Sequence, residues 1–141
     1  MKSSRVNHIA VWVLVVYFQL QSMGWYTIFS KPWMDLTGVS MDKANNAGAL
    51  PYLFALLSTA AIVYAIAVLF TKLNIETSKN GVAYSIVFNL AFLFLPVITM
   101  DMFSMHPFAL SLIDAGNYLL FFIITGLVLS LWRRYKKEVP A

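Results

Sequence analysis

The sequence predicts an all-α protein, a four-helix transmembrane bundle with both termini cytoplasmic and short interfacial segments in the first outer loop. Three observations lead there. The 141 residues are 60% hydrophobic and 11% charged, whereas an ordinary soluble domain carries about 25% charged residues. Four stretches, 6–30, 44–71, 80–100 and 115–132, contain no formally charged residue. Each approaches or exceeds the ~20 residues that a helix rising about 1.5 Å per residue needs to cross roughly 30 Å of hydrocarbon. The basic residues, finally, gather on alternate connections. A soluble bundle needs a charged stripe along each helix to face water, and these stretches provide none.

The first span is expected over about 8–29. Its basic start, Lys2 and Arg5, is shared with secretory leaders, but the apolar run exceeds their usual ~7–15 residues and no small-x-small cleavage site precedes Trp25 and Tyr26. The segment is therefore expected to be retained. It closes in "GWYTIFSKPW", residues 24–33, where Trp25, Tyr26 and Trp33 suit the outer headgroup level, as Trp132 and Tyr135 suit the inner one. Pro32 fits the first turn of a surface helix, because its missing N–H is unneeded there. The loop over 30–50 contains Gly38, Asn45, Asn46 and Gly48 before Pro51, boundaries for one or two short helices.

The second span is expected over about 51–71, followed by the turn-forming "NIETSKNG" at 74–81. The third, about 82–102, contains Pro96, which removes a backbone donor and predicts a kink. Pro107 opens the fourth, about 108–132. A helix over 107–132 would be about 39 Å long, so its first turns project beyond the hydrocarbon and Asp114 lies near the outer boundary. Ala55 with Thr59, Ala61 with Ala65 and Gly126 with Ser130 are small-residue pairs four apart, a spacing that permits close helix approach. No internal repeat is evident, and residues 1–141 read as one integral membrane domain.

Orientation follows from lysine and arginine, which cytoplasmic flanks retain during insertion. Lys2, Arg5, Lys72, Lys79, Arg133, Arg134, Lys136 and Lys137 fall on one side, and only Lys31 and Lys43 on the other. This asymmetry accounts for the net charge of +4. Nucleic acid is not an expected partner, since its binding needs basic residues gathered along an exposed groove or helix. The expected contact is membrane lipid, with the last four basic residues near anionic headgroups. The absence of cysteine removes disulfides, thiol catalysis and thiolate metal sites.

Several stretches together resemble the domain of unknown function 1761 family. They are "NHIAV" opening the first span, "GWYTIFSKPW" followed by "LTG" at its exit, "LPVITMDMF" closing the third, and "LIDAGNYLL" with a later "G" and "LW" in the fourth. The resemblance spans nearly the whole chain. It implies a small bacterial-type integral protein of the inner (cytoplasmic) membrane with about four helices, and implies no established activity. The methionines around Asp101 depart from the family pattern.

Polar residues inside a bilayer are costly, so their grouping is the best functional signal in the chain. Helical spacing places Gln19, Ser22 and Tyr26 on one face of span one, Asn89, Pro96 and Thr99 on one face of span three, and Asp114 with Asn117 on span four. The sharper reading is an outward-opening polar pocket of Gln19, Ser22, Tyr26, Thr99, Asp114 and Asn117, with Asn89 deeper and Asp114 as the anionic or protonatable member. The simpler reading is hydrogen bonding between helices that holds the bundle together.

In "MDMFSMH", residues 100–106, the thioethers of Met100, Met102 and Met105 with the His106 imidazole are candidate soft-metal ligands, although methionine is equally an apolar filler. His8 stands at the cytoplasmic mouth of span one, an ordinary place for an amphipathic ring. No catalytic spacing is recognisable, so no enzyme activity and no cofactor are expected. The expected role is passage of a small solute or ion, in an oligomer because four helices enclose little room. The alternative is a non-catalytic partner that stabilises or regulates a larger membrane complex.

Overall fold

A computed structural model of the chain describes residues 4–135. Lys2, Lys136 and Lys137, which enter the orientation argument, lie outside the described residues, as do the side chains of Arg134 and Tyr135. The chain is helical: α1 (His8–Ile28), α2 (Ser30–Thr37), α3 (Met41–Asn45), α4 (Leu50–Lys72), α5 (Ser78–Asn89), a π-helical turn (Leu90–Phe94), α6 (Leu95–Phe103) and α7 (Phe108–Leu131). Four helical stretches, His8–Ile28, Leu50–Lys72, Ser78–Phe103 and Phe108–Leu131, are long and apolar enough to cross a membrane. Two-residue strands, β1 (Ser4–Arg5) and β2 (Arg134–Tyr135), pair antiparallel, Ser4 opposite Tyr135 and Arg5 opposite Arg134.

Local chemistry sets the ends of these helices. Asn7 caps α1 by accepting from the Ala10 N–H at 3.4 Å, and its own amide donates to the Trp132 carbonyl at 3.0 Å, tying the start of α1 to the end of α7. Gly38 stops α2 in the left-handed conformation that glycine tolerates best, at φ 68°. Pro32 sits in the first turn of α2. Thr77 caps α5 through the Asn80 N–H at 3.2 Å. Ends of the described chain therefore meet at one end of the bundle, called here the terminal end; the α1–α2 and α6–α7 connections lie at the distal end.

Burial is inverted relative to a water-soluble bundle. Val16, Leu20, Phe54 and Phe92 are 58–73% exposed, while Ser85, Asn89, Ser111, Asn117 and Thr125 are at most 1% exposed. A water-soluble protein would not leave that much contiguous apolar surface open; hydrocarbon as solvent accounts for it. An apolar core does exist, built toward the terminal end from Val11, Leu14, Val15 and Phe18 of α1, Val63, Ile66 and Phe70 of α4, and Phe121, Phe122 and Leu129 of α7.

Helix α7 carries buried residues at every turn from Leu110 to Ser130, and α5 packs on it most intimately. The buried residues of α5 are Gly81, Ser85 and Asn89, four apart, so its packed stripe is small and polar. A Cβ at Gly126 would stand 2.5 Å from the Gly81 carbonyl oxygen, so the two backbones touch where neither residue has a side chain. The expected Ala61 and Ala65 pair does not pack within the chain, since both residues are exposed on α4. That spacing defines a face without saying which neighbour fills it.

Pro96 does more than kink the third span. It has no N–H to give to the preceding turn, and that turn widens: the Leu95 N–H reaches back five residues to the Leu90 carbonyl. Face assignments counted at 3.6 residues per turn therefore fail across 90–94. Asn89 is fully buried, whereas Pro96 and Thr99 face outward. The expected common face of Asn89, Pro96 and Thr99 does not exist.

Candidate functional site

At the distal end, α1 and α7 are joined by polar side chains in successive turns. Asn117 is the hub. Its amide donates to Ser22 Oγ at 2.9 Å, and Gln21 Nε2 donates to both its side-chain oxygen and its backbone carbonyl at 2.8 Å. One turn outward, the Trp25 indole N–H donates to the Ile113 carbonyl at 2.9 Å, its ring edge lying against Gly116. Beside it the Tyr26 hydroxyl donates to Asp114 Oδ1 at 2.7 Å. Trp33 of α2 meets the Tyr26 ring edge-on, with centroids 6.1 Å apart. In a low-dielectric setting such bonds hold geometry strongly, because an unmade one leaves a polar group facing hydrocarbon.

Ser22, Tyr26 and Asn117 of this network line a cavity of about 420 Å³ together with Phe18, Gln19 and Met23 of α1, Pro51, Tyr52 and Ala55 of α4, and Tyr118 of α7. Gln19 reaches across it, donating to Thr59 Oγ1 at 3.4 Å, and Thr59 donates in turn to the Ala55 carbonyl at 2.6 Å. A second hollow of about 440 Å³, lined by Ser30, Trp33, Met34, Met41, Ala44 and Ala47, shares Tyr26, Pro51 and Tyr52 with the first. Polar wall and apolar annex are therefore adjoining. Toward the terminal end the cavity stops at Phe18, whose ring lies 4.2 Å from that of the fully buried Phe121.

Of the residues singled out in the sequence, Gln19, Ser22, Tyr26 and Asn117 line this cavity; Asp114 is not part of the lining and is linked to it only through the hydrogen bond from Tyr26. Thr99 does not belong: it is exposed and donates to the Leu95 carbonyl of its own helix at 2.8 Å. Asn89 is on the buried face of α5, away from the cavity lining. The widened turn ahead of Pro96 rotates Thr99 away from Asn89, which is why both could not be placed on one face.

Met100, Met102 and Met105 are 61–90% exposed around the α6–α7 turn. There Asp101 accepts from the buried Ser111 hydroxyl at 2.8 Å and pairs with His106 Nδ1 at 3.3 Å. Among the described residues no group of three or more His, Asp or Glu side chains is placed to hold a metal ion. His8 pairs through Nδ1 with the Tyr64 hydroxyl at 3.1 Å, at the terminal end.

Sequence reasoning missed Gln21, Ser85 and Thr125, and read Thr59 only as a small-residue packing position. Gln21 and Trp25 are one turn apart, directly beside Ser22 and Tyr26, so a two-residue-wide polar stripe on α1 was available as a signal. Residues 9–130 match the model of the family described as Protein of unknown function (DUF1761). No curated protein and no solved structure matches the chain.

Proposed function

Since the chain belongs to the DUF1761 family of unknown function, we propose that its own geometry is the guide: it takes a small hydrogen-bonding solute or ion into the distal cavity beside Asn117 and assists its passage across the membrane. The observation that carries this reading is the cavity of about 420 Å³ with Gln19, Ser22, Tyr26 and Asn117 in its wall, Tyr26 in turn donating to Asp114 outside the lining. Polar groups are rare in a hydrocarbon setting because they are costly there, and their grouping beside a cavity marks a functional site by default. The positive charges of the terminal end face the cytoplasm in this reading, and the pairing of β1 with β2 supports having both ends on one side. The cavity then opens outward, in the bacterial inner membrane. Phe18 and Phe121 close it within one chain, so passage requires their displacement or a route formed between copies. No enzymatic step and no cofactor enter this reading.

The test is ligand-dependent stability of the full chain in lipid nanodiscs, with sodium, potassium, ammonium, glycerol and ethanolamine as probes. A probe that raises Tm in the wild type but not in Asn117→Leu supports the cavity as the binding site, and its uptake into proteoliposomes supports passage. Indifference of the wild type to every probe, with acyl-chain density filling the cavity, rejects the reading.

A second reading, a non-catalytic membrane partner, draws on the exposed Ser58, Ala61 and Ala65 along α4, a face smooth enough for another helix. Copurification of one fixed membrane protein, lost on Ala61→Leu, favours it.

A further inference from the structure

Most hydroxyl groups within the membrane-spanning helices have a partner: Ser111 donates to Asp101 and Ser22 accepts from Asn117. Thr59, Thr71, Thr99 and Ser130 each donate to a carbonyl three or four residues earlier in their own helix, at 2.6–2.9 Å. Ser85 and Thr125 do not. Their hydroxyl oxygens, together with Asn89 Oδ1 and Nδ2, are shut off from the surface and have no hydrogen-bond partner among the described residues. Leaving such atoms unpaired is costly, more so away from water.

These residues lie on the buried faces of α5 and α7, the two helices in closest contact. Ser85 and Asn89 are one turn apart on the buried stripe of α5. Ser85 Oγ points at Gly126, where an added Cβ would stand 2.6 Å from it, and Thr125 is the adjoining, fully buried residue of α7. The π-helical turn begins immediately after Asn89. Phe121, fully buried and stacked on Phe18, lies one turn from both Asn117 and Thr125 and separates this cluster from the distal cavity.

We infer that Ser85, Asn89 and Thr125 bind a small neutral hydrogen-bonding guest inside the bundle, either water or the hydroxyl group of a solute. The cluster offers both donors and acceptors: two hydroxyls, one amide N–H₂ and one amide oxygen. It offers no compensating charge, since residues 80–100 and 118–130 carry none, and a dehydrated ion at this depth would lack a counter-charge. A buried guest with two to four polar partners is the ordinary way such groups are satisfied. The site is independent of the distal cavity, so either can fail without the other.

The sign of a stability change tests it. Thr125→Val keeps the side-chain shape and Ser85→Ala removes one oxygen, so both are expected to fold. If a guest is bound, each variant deprives it of a partner, and Tm in nanodiscs falls by roughly 3–6 °C. If the hydroxyls are merely orphaned, deleting one removes a penalty and Tm stays level or rises, which overturns the inference. A structure of the wild-type chain in lipid, at a resolution that shows ordered water, gives the second measurement. A density peak within hydrogen-bonding distance of Asn89 and either hydroxyl supports the site, its size distinguishing water from a solute. A dry cluster whose side chains have turned to backbone carbonyls rejects it.

Discussion

Replacing Gly126 with alanine pushes a methyl group into the backbone of the facing helix. At Gly126 a Cβ would lie 2.5 Å from the Gly81 carbonyl oxygen and 2.9 Å from its carbonyl carbon; ordinary contact begins at 3.4 Å. The shortfall is 3.4 − 2.5 = 0.9 Å, and no side-chain rotation relieves it because the obstacle is main chain. Helices α5 and α7 must part by about that distance along their closest contact. Overpacking of this kind costs about 1–3 kcal/mol, partly offset by the ~1 kcal/mol that alanine gains over glycine in a helix.

At roughly 3–5 °C per kcal/mol for a chain of this size, Gly126→Ala should lower Tm by several degrees. Gly81→Ala meets Gly126 O at 2.5 Å and Ser130 Cβ at 2.7 Å and should behave alike. Because both variants widen the same contact, the double variant should cost less than the sum of the two. Gly24→Ala is the control: nothing lies within 4 Å of its Cβ, so it should leave Tm unchanged or raise it. The assay is thermal unfolding in one detergent or nanodisc preparation, followed by loss of monodisperse protein. Equal Tm values for Gly126→Ala, Gly81→Ala and Gly24→Ala would refute the close crossing of α5 and α7.

Other expectations are simpler. Tyr26→Phe removes the 2.7 Å bond to Asp114 and should cost about 0.5–3 kcal/mol, the span from a neutral to a charge-assisted hydrogen bond, seen as a lower Tm; an unchanged Tm would mean that water replaces the hydroxyl at no cost. Thr99→Val should be nearly silent, within about 0.5 kcal/mol in stability and with no effect on any probe binding, since Thr99 is exposed and bonded only to its own helix. Reporter fusions at the two ends should give the same cytoplasmic signal, and opposite signals would contradict the paired termini.

The cation and methionine expectations separate along the same physical line. Lysine and arginine report on insertion from the sequence alone, because insertion acts on the chain before tertiary contacts form. Methionine ligation requires several thioethers to converge, and Met100 and Met102 at the end of α6 and Met105 in the following turn are all exposed, where spacing says nothing about convergence. A flat Cu(I) titration of the purified chain is the expected outcome.

The solvent of this polypeptide is written in its sequence. Charge-free stretches of span length, the aromatic and proline signals at their ends, and the family resemblance follow from composition and local order, and they determine four apolar helices without reference to packing. Which polar side chains meet was decided only in three dimensions. Gln21 joins Asn117, Trp25 joins the Ile113 carbonyl and Tyr26 joins Asp114, from positions about 90 residues apart. Asn89 and Thr99 part company because Pro96, unable to donate, imposes a wider turn between them. Periodicity carries a residue's angle around its own helix only while the helix is regular, and it carries nothing about the rotation of the neighbour. The partners of buried polar groups are set by that rotation, which closest approach at Gly81 and Gly126 determines for α5 against α7.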